Sequence, residues 1–503
     1  MTVAERLIVA SNRLPVVLDR TPGEGWKVSR GSGGLVTALE PVLREREGTW
    51  IGWPGVSEDE LPEVDSVLER ESGRIGYRVR GVGLTPREEE GFYLGFSNQV
   101  IWPLFHDFQT QCNFDPTFWR AYREVNRRFA KVIARESAPN DFIWVQDYHL
   151  MSVAEELSQR PSRRRTGFFL HIPFPPLDLF VKLPWRFTLL RSLLHYDLIG
   201  FQTARDRNNF IHCVQTLAPD VTVEGEGRVV EVRIGERVVR VGAFPIAIDF
   251  DEFADSAASN AVSERVARLW SEFPGRQIIL GVDRLDYSKG IPHKLQGFRL
   301  ALERYPSLQE KVSLVQLVIP SREDIPEYHA IRTEIERLVG RISGEFTRPG
   351  WVPIHYQYGR WDREELIAHY RAARINLVTS LKDGMNLVAK EFSAASLEGD
   401  GVLILSEYAG ATAQLQQDAI LVNPYDVEDV AEAIHTACTM PEEERRARMG
   451  RIRDKIRKED IFWWVDVFLK AARGEDLGEW SSLDAYQPPA PPGFFDAVGT
   501  ASS

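Results

Sequence analysis

The chain has 503 residues and a formal net charge of −12, with 61 Lys and Arg against 73 Asp and Glu. At roughly 150 residues per domain, that length needs two or three cores rather than one. The acidic balance argues against nucleic acid as the bulk partner, no apolar run approaches a membrane span, and Cys112, Cys213 and Cys438 are too scattered for a disulfide framework or a zinc knuckle. A small anionic substrate still needs only a local cluster of Arg and Lys.

The start, MTVAERLIVASNR, holds only four apolar residues in a row and no small-residue cleavage site, so no secretory signal is expected and a cytoplasmic location is. From there an apolar strand, a polar turn and an amphipathic helix recur along the chain. Strands are expected at LIVA (7–10), FIWV (142–145), GFFL (167–170), LIGF (198–201), IILGV (278–282), LVQLVI (314–319), INLV (375–378) and VLIL (402–405). Short continuous apolar runs suit parallel strands covered on both faces, which makes the architecture α/β. RVVEVRIGERVVRV (228–241) alternates about Gly235 and reads as a hairpin. A new strand series follows, so a boundary is placed near residue 247, between units 1–246 and 247–458. After the fifth strand, Ile291, Leu295, Phe298, Leu302 and Tyr305 recur at steps of four and three, one apolar helical face. Near the end, Ile461, Trp464, Val465, Phe468 and Leu469 form a second apolar stripe within 459–475, and the tail 476–503, with its QPPAPPG, reads as disordered.

In open parallel sheets ligands bind beyond the carboxyl ends of the strands. Those positions here are Asn12-Arg13, Asp147-Tyr148-His149, His171, Asp283-Arg284, Ser321-Arg322 and Lys382-Asp383. Each alone could be an ordinary solvated strand end; the set converging on one cleft argues for a site. Arg284 and Lys289, in GVDRLDYSKGI, lie between a strand and a helix, where a fixed positive pair can meet a leaving diphosphate. An ion pair with Asp283 or Asp286 is the plainer alternative. In LVTSLKDGMNLVAKEF (377–392), Asp383-Gly384 supplies a turn, Asn386 an N-cap, and the amides near Leu387 and Val388 a cradle for an anion. Glu391 falls at the fifth helical position, too late for a capping box; it would suit two adjacent ribose hydroxyls, or be an exposed helical Glu.

ASNRLPVV, GSGGLVTAL, WIGWPG, FSNQVIWPLFH, WVQDYHL, FFLHIPFP, DRLDYSKGI, PSR and KDGMNLVAKEF, in this order from about residue 7 to 475, resemble the trehalose-6-phosphate synthases, retaining glucosyltransferases of glycosyltransferase family 20 with the GT-B fold. The resemblance implies two Rossmann-like parallel-sheet domains facing across a cleft, the first binding the acceptor and the second the nucleotide sugar, with the last helix crossing back to the first domain. It implies a nucleotide-sugar donor, usually UDP-glucose, and the sugar-phosphate acceptor glucose 6-phosphate. Arg284 and Lys289 would hold the diphosphate, with Gly33 and Gly34 in a loop closing over it. Asp383, Gly384, Met385 and Asn386 would line the transferred glucose, the amides of Leu387 and Val388 the phosphates, and Glu391 the ribose. Trp361 matches a position near the nucleotide that is aromatic in some members and not in others. Arg13, Tyr93, Asp147 and Arg322 would bind the acceptor, with Trp53 and Trp102 packing against sugar, and His171 would lie beside the donor sugar. Asp147, His171, Arg284 and Lys289 are thus the catalytic set.

The implied chemistry is front-face transfer with retention, with no protein nucleophile, cofactor or metal. DFD (249–251) imitates a metal-binding DxD but falls at the inferred hinge. Transfer to another phosphorylated acceptor such as glycerol 3-phosphate, and a noncatalytic sugar-phosphate sensor, are the alternatives; retention of Arg284, Lys289, Asp383 and Glu391 argues against the sensor. RGSGGLV lacks the spacing of a dinucleotide fingerprint. No phosphatase domain is visible, so a separate protein is expected to process the product, and self-association into a homo-oligomer is left open.

Overall fold

The computed structural model describes residues 6–21, 25–31, 34–160, 164–322 and 325–477; Gly33 and the Pro-rich part of the tail lie outside them. The first half carries strands β1 (Leu7–Arg13), β2 (Val16–Thr21), β3 (Gly25–Arg30), β4 (Thr49–Trp53), β5 (Arg78–Gly81), β6 (Phe142–Gln146), β7 (Arg165–Phe169), β8 (Leu198–Phe201), β9 (Val221–Glu224), β10 (Val229–Ile234) and β11 (Arg237–Ala243). Nine of them form one sheet in the order β5-β4-β1-β6-β7-β8-β11-β10-β9, with β2 and β3 as a separate ribbon. Pairing is parallel from β5 across to β11 and antiparallel only at β10 and β9. The alternating segment around Gly235 is therefore the hairpin β10–β11 at the end of a parallel sheet.

The second half carries β12 (Gln277–Arg284), β13 (Val312–Ile319), β14 (Ile354–Tyr358), β15 (Ile375–Val378), β16 (Val402–Ser406) and β17 (Ile420–Val422). They form an all-parallel sheet in the order β14-β13-β12-β15-β16-β17. Its central strands are buried along nearly their whole length, as expected of apolar runs covered by helices on both faces. The chain passes between the sheets through residues 244–249, before the helix Phe250–Ala258.

The helix Ile461–Arg473 returns to the first sheet. Phe468 stacks on Trp144 of β6 at 4.2 Å and 10°, Trp464 packs on the same ring at 4.9 Å, and Phe169 of β7 meets both edge-on. The approach is close enough that a Cβ at Gly200 of β8 would lie 2.7 Å from the Phe468 ring, so a small residue is required beneath it. All five residues of the expected stripe are buried here.

One expectation needs correcting. Tyr305 packs partly against the same core as Ile291, Leu295, Phe298 and Leu302 but lies just past the helix Ile291–Arg304 rather than in it; its ring stacks on His435 and its hydroxyl meets Glu432. Asp249 of DFD caps the helix Phe250–Ala258 by accepting from the Glu252 amide, and Asp251 lies 3.7 Å from Arg457. Among the described residues no helix is long and apolar enough to cross a membrane.

Candidate active site

The carboxyl ends of both sheets face one crevice. Arg322, just past β13, reaches across it: its guanidinium donates to the Tyr148 hydroxyl at 3.2 Å and lies 3.8 Å over the Trp102 ring. Phe108 meets Tyr287 edge-on at 4.8 Å, and Lys382 pairs with Asp107 at 3.0 Å. Gly384 sits directly against the first lobe, because a Cβ there would be 2.0 Å from the His171 carbonyl oxygen. Only a residue without a side chain lets the two backbones approach so closely.

On the second lobe, Arg284 ends β12 exposed, its guanidinium 5.5 Å from the Trp102 ring and with no hydrogen bond or ion pair among the described residues. No direct ion pair joins Arg284 or Lys289 to Asp283 or Asp286 among the described residues, although both cations help to keep Asp286 ionised. Asp283 pairs with Lys294, and Asp286 with Arg322 at 3.1 Å. Lys289 instead donates to Asp383 at 2.6 Å, and the same carboxylate oxygen accepts from Ser380 and Asn386, each at 3.2 Å. Burial alone would raise the pKa of Asp383, but Lys289, with His106 and Asn386, outweighs it and holds the carboxyl below its usual range. Asp286 behaves likewise: burial opposes its charge, and Arg322, Arg284 and Lys289 outweigh that.

Asn386 takes a positive φ of 74° and caps the helix Leu387–Ala395 by accepting from the Ala389 amide at 3.2 Å. The amides of Leu387 and Val388 carry no hydrogen bond among the described residues, and they form the positive end of the helix dipole. Glu391 is half-buried and accepts from the Tyr370 hydroxyl at 2.8 Å; burial raises its pKa. It is therefore not a free surface Glu. Trp361 is half-buried, stacks on His369 at 3.8 Å and donates to Gln357 at 2.7 Å. The consecutive residues His369 and Tyr370 thus hold Trp361 and Glu391.

On the first lobe an aromatic wall runs from Trp53 to Tyr93 (6.0 Å), His149 (6.0 Å, stacked) and Tyr148 (3.9 Å), and on to Trp102 (5.8 Å). A guanidinium caps each end: Arg13 lies 3.8 Å over Trp53, and Arg322 sits over Trp102. A cavity of about 550 Å³ opens beside Arg13, Trp53, Asp147 and His149. Tyr93 and Trp102 come from a wide π-helical segment, Glu89–Ile101, and the helical turn after it, an uncommon geometry that often accompanies function.

Asp147 follows β6 with φ at 72°, a strained setting for a non-glycine residue. It accepts the His171 amide at 3.1 Å, and burial pushes its pKa up to about 6 despite Arg284 and Arg322 nearby. His171 has both ring nitrogens engaged: Nε2 lies 2.9 Å from Gln146 Oε1 and Nδ1 3.4 Å from Gln202 Nε2. Burial pushes it down to about 3, so the ring is neutral.

The crevice gathers Arg13, Trp53, Tyr93, Trp102, Asp147, His171, Arg284, Lys289, Arg322, Asp383, Gly384 and Asn386. Met385 contributes backbone: its side chain is 4% exposed in the core, and its carbonyl accepts from Ala411. Gly34 opens the helix Gly34–Glu45, and Gly33 lies outside the described residues. Tyr328, which with Asp286 holds Arg322, and Tyr370, Gln146 and Gln202 were not singled out from sequence; nothing local marks them. Tyr148 and His149, expected at the strand end after Asp147, are both in the aromatic wall. Among the described residues no three His, Cys, Asp or Glu side chains are grouped to hold a metal ion.

A departing anion met by cations and helix amides on one lobe, with a second surface for its acceptor across a crevice, is the division of labour of a GT-B glycosyltransferase. Residues 5–473 match the family described as Glycosyltransferase family 20, and the chain belongs to it. It is 40% identical over 472 residues to the alpha,alpha-trehalose-phosphate synthase (UDP-forming) of Candida albicans, covering 93% of this chain and 97% of that protein. It superposes on an alpha,alpha-trehalose-phosphate synthase from Burkholderia xenovorans in complex with glucose-6-phosphate, with a TM-score of 0.83 at 34% identity, 93% of this chain and 100% of the other. A protein from E. coli bound with UDP-2-fluoro glucose gives a TM-score of 0.83 at 35% identity, with 93% and 99% covered.

Proposed function

We propose that the protein transfers glucose from UDP-glucose to glucose 6-phosphate with retention, forming α,α-trehalose 6-phosphate and UDP. The observation that carries this reading is the facing of two unlike surfaces. Arg284, which makes no hydrogen bond or ion pair among the described residues, and the open amides of Leu387 and Val388 stand opposite an aromatic wall tipped by Arg13 and Arg322. Relatives of this length carry that activity in their names, and the solved neighbours hold glucose-6-phosphate or UDP-2-fluoro glucose, which supports both ligands here.

Arg284, Lys289 and the helix amides neutralise the diphosphate as the bond from the anomeric carbon to its oxygen breaks. The acceptor hydroxyl attacks the same face, and its proton passes to the departing phosphate oxygen, so no protein nucleophile takes part. Asp147 orients the acceptor hydroxyl by accepting from it. His171, neutral and with both nitrogens engaged, walls the donor sugar and moves no proton. Glu391 accepts from the ribose, Trp361 lies beside the base, and the cationic pair makes a divalent metal unnecessary. We place the enzyme in the cytoplasm, where sugar phosphates and nucleotide sugars are available to it.

The test is a donor-by-acceptor matrix: UDP-, ADP- and GDP-glucose against glucose 6-phosphate and glycerol 3-phosphate, with product configuration read by NMR. Preference for glycerol 3-phosphate would overturn the acceptor, and a β linkage to the transferred glucose would overturn retention.

A further inference from the structure

The segment joining the two sheets is tied down at every second residue. The Phe244 carbonyl accepts from Trp464 Nε1 at 3.0 Å, and the Ile248 carbonyl from the Ile461 amide at 3.1 Å. Between them Ile246 is held from both lobes. Its amide donates to Gln202 Oε1 at 2.9 Å, and its carbonyl accepts from Lys390 Nζ at 2.7 Å.

Neither partner is an ordinary packing residue. Lys390 is 1% exposed and makes no direct ion pair among the described residues; its other bond is to Gln414 Oε1 at 2.6 Å, and the Gln414 amide in turn donates to Glu459, whose charge favours the ammonium. Burying an ammonium among neutral acceptors is costly, and a Met or Leu there would cover the same apolar surface without that cost. Burial pushes the Lys390 pKa down to about 7, the direction expected of such a site. Gln202 is equally buried, and its amide nitrogen is the group 3.4 Å from His171 Nδ1. Lys390 itself belongs to the helix Leu387–Ala395, next to Glu391 and one turn from the open amides. The two backbone groups of one linker residue therefore connect the helix that faces the donor with the His171 wall of the opposite lobe.

We propose that Lys390 and Gln202 are positioning residues: by clamping Ile246 from both sides they hold the two half-sites in the register at which the acceptor hydroxyl, rather than water, reaches the anomeric carbon. This rests on the functional reading above. Water attack is the competing outcome. The bond from the anomeric carbon to the phosphate oxygen breaks, one to the water oxygen forms, and a water proton goes to the departing phosphate, giving free glucose and UDP. A small error in register harms the fixed acceptor far more than mobile water, because near-attack geometry is sensitive to shifts of about 1 Å.

The ratio of UDP released by hydrolysis to glucosyl transfer is independent of the fraction of enzyme folded, so it separates positioning from stability. In full-length Lys390→Met and Gln202→Leu the ratio is expected to rise roughly tenfold or more over wild type at saturating UDP-glucose and glucose 6-phosphate. Gln414→Leu removes the other bond of Lys390 without touching the linker, and should lower Tm while leaving the ratio unchanged. Wild-type ratios in both clamp variants would overturn the proposal. So would insolubility of both beside a soluble Gln414→Leu, since the clamp would then be purely structural. An equal rise in Gln414→Leu would also overturn it, because loss of the linker bond would no longer be the cause. Wild-type enzyme that makes no transfer product at all would instead refute the functional reading, and this inference with it.

Discussion

Lys289 Nζ lies 2.6 Å from Asp383 Oδ2, joining the turn after β12 to the turn after β15. The pair fixes the ammonium where a diphosphate would meet it while leaving Arg284 free. Lys289→Met should lower kcat by about 10²–10³-fold, the usual effect of losing one stabiliser of developing charge. Asp383→Asn leaves the ammonium without its counter-charge and should cost about 3–5 kcal/mol of stability at neutral pH, read by denaturant titration. Because the folded pKa of Asp383 is depressed, its stabilisation is complete above about pH 4 and is lost as pH falls further. The wild-type-minus-variant difference should shrink on that acid side alone.

Arg284 is exposed and makes no hydrogen bond or ion pair among the described residues, so stability should not depend on it. Arg284→Ala is expected to keep the wild-type Tm and lose about 10²–10³-fold in kcat/KM. Wild-type turnover would remove Arg284 from the mechanism.

Asp147 carries the opposite linkage. Its folded pKa is raised to about 6, so the folded state binds the extra proton between about pH 4 and pH 6, and its contribution to stability falls as pH rises through that window. Asp147→Asn should therefore stabilise the protein on the order of 2 kcal/mol at pH 8 and make no difference near pH 4. Transfer should drop at pH 8, where the amide is a poorer acceptor for the attacking hydroxyl than the carboxylate, and the difference should shrink near pH 4, where the wild-type carboxyl is itself protonated.

Gly384 faces the His171 carbonyl across the crevice, and a methyl group there would sit 2.0 Å from that oxygen. Gly384→Ala must push the lobes apart or distort the turn, costing about 1–3 kcal/mol. Transfer should fall by at least tenfold, the loss expected when reacting groups shift by about 1 Å. Unchanged kinetics would mean that the crevice is wider in solution.

Much of the donor side could be read from sequence because its signals are local. In LVTSLKDGMNLVAKEF an apolar run, a turn and an N-cap follow within a few residues, and β15, Asn386 and the helix Leu387–Ala395 appear as expected. The strands β4, β5, β9, β14 and β17 and the ribbon β2–β3 were not anticipated. They are short or at sheet margins, where apolar runs are brief or interrupted. That Met385 turns into the core, or that Tyr305 falls past its helix, depends on which face a neighbouring element covers.

The sequence by itself determined the long apolar strands and the β10–β11 hairpin, the turns that follow them, the helix cap and the polar residue types that end up at the strand ends, because each depends on backbone propensity and hydrophobic period over a few residues. Only the tertiary structure decided which charges are partnered and which are free: Lys289 with Asp383, Arg322 with Asp286, Arg284 with neither. Charge pairing and burial depend on distances between residues far apart in the chain. Those distances are set when Ile461–Arg473 packs onto the first sheet and the linker at Ile246 is held from both sides.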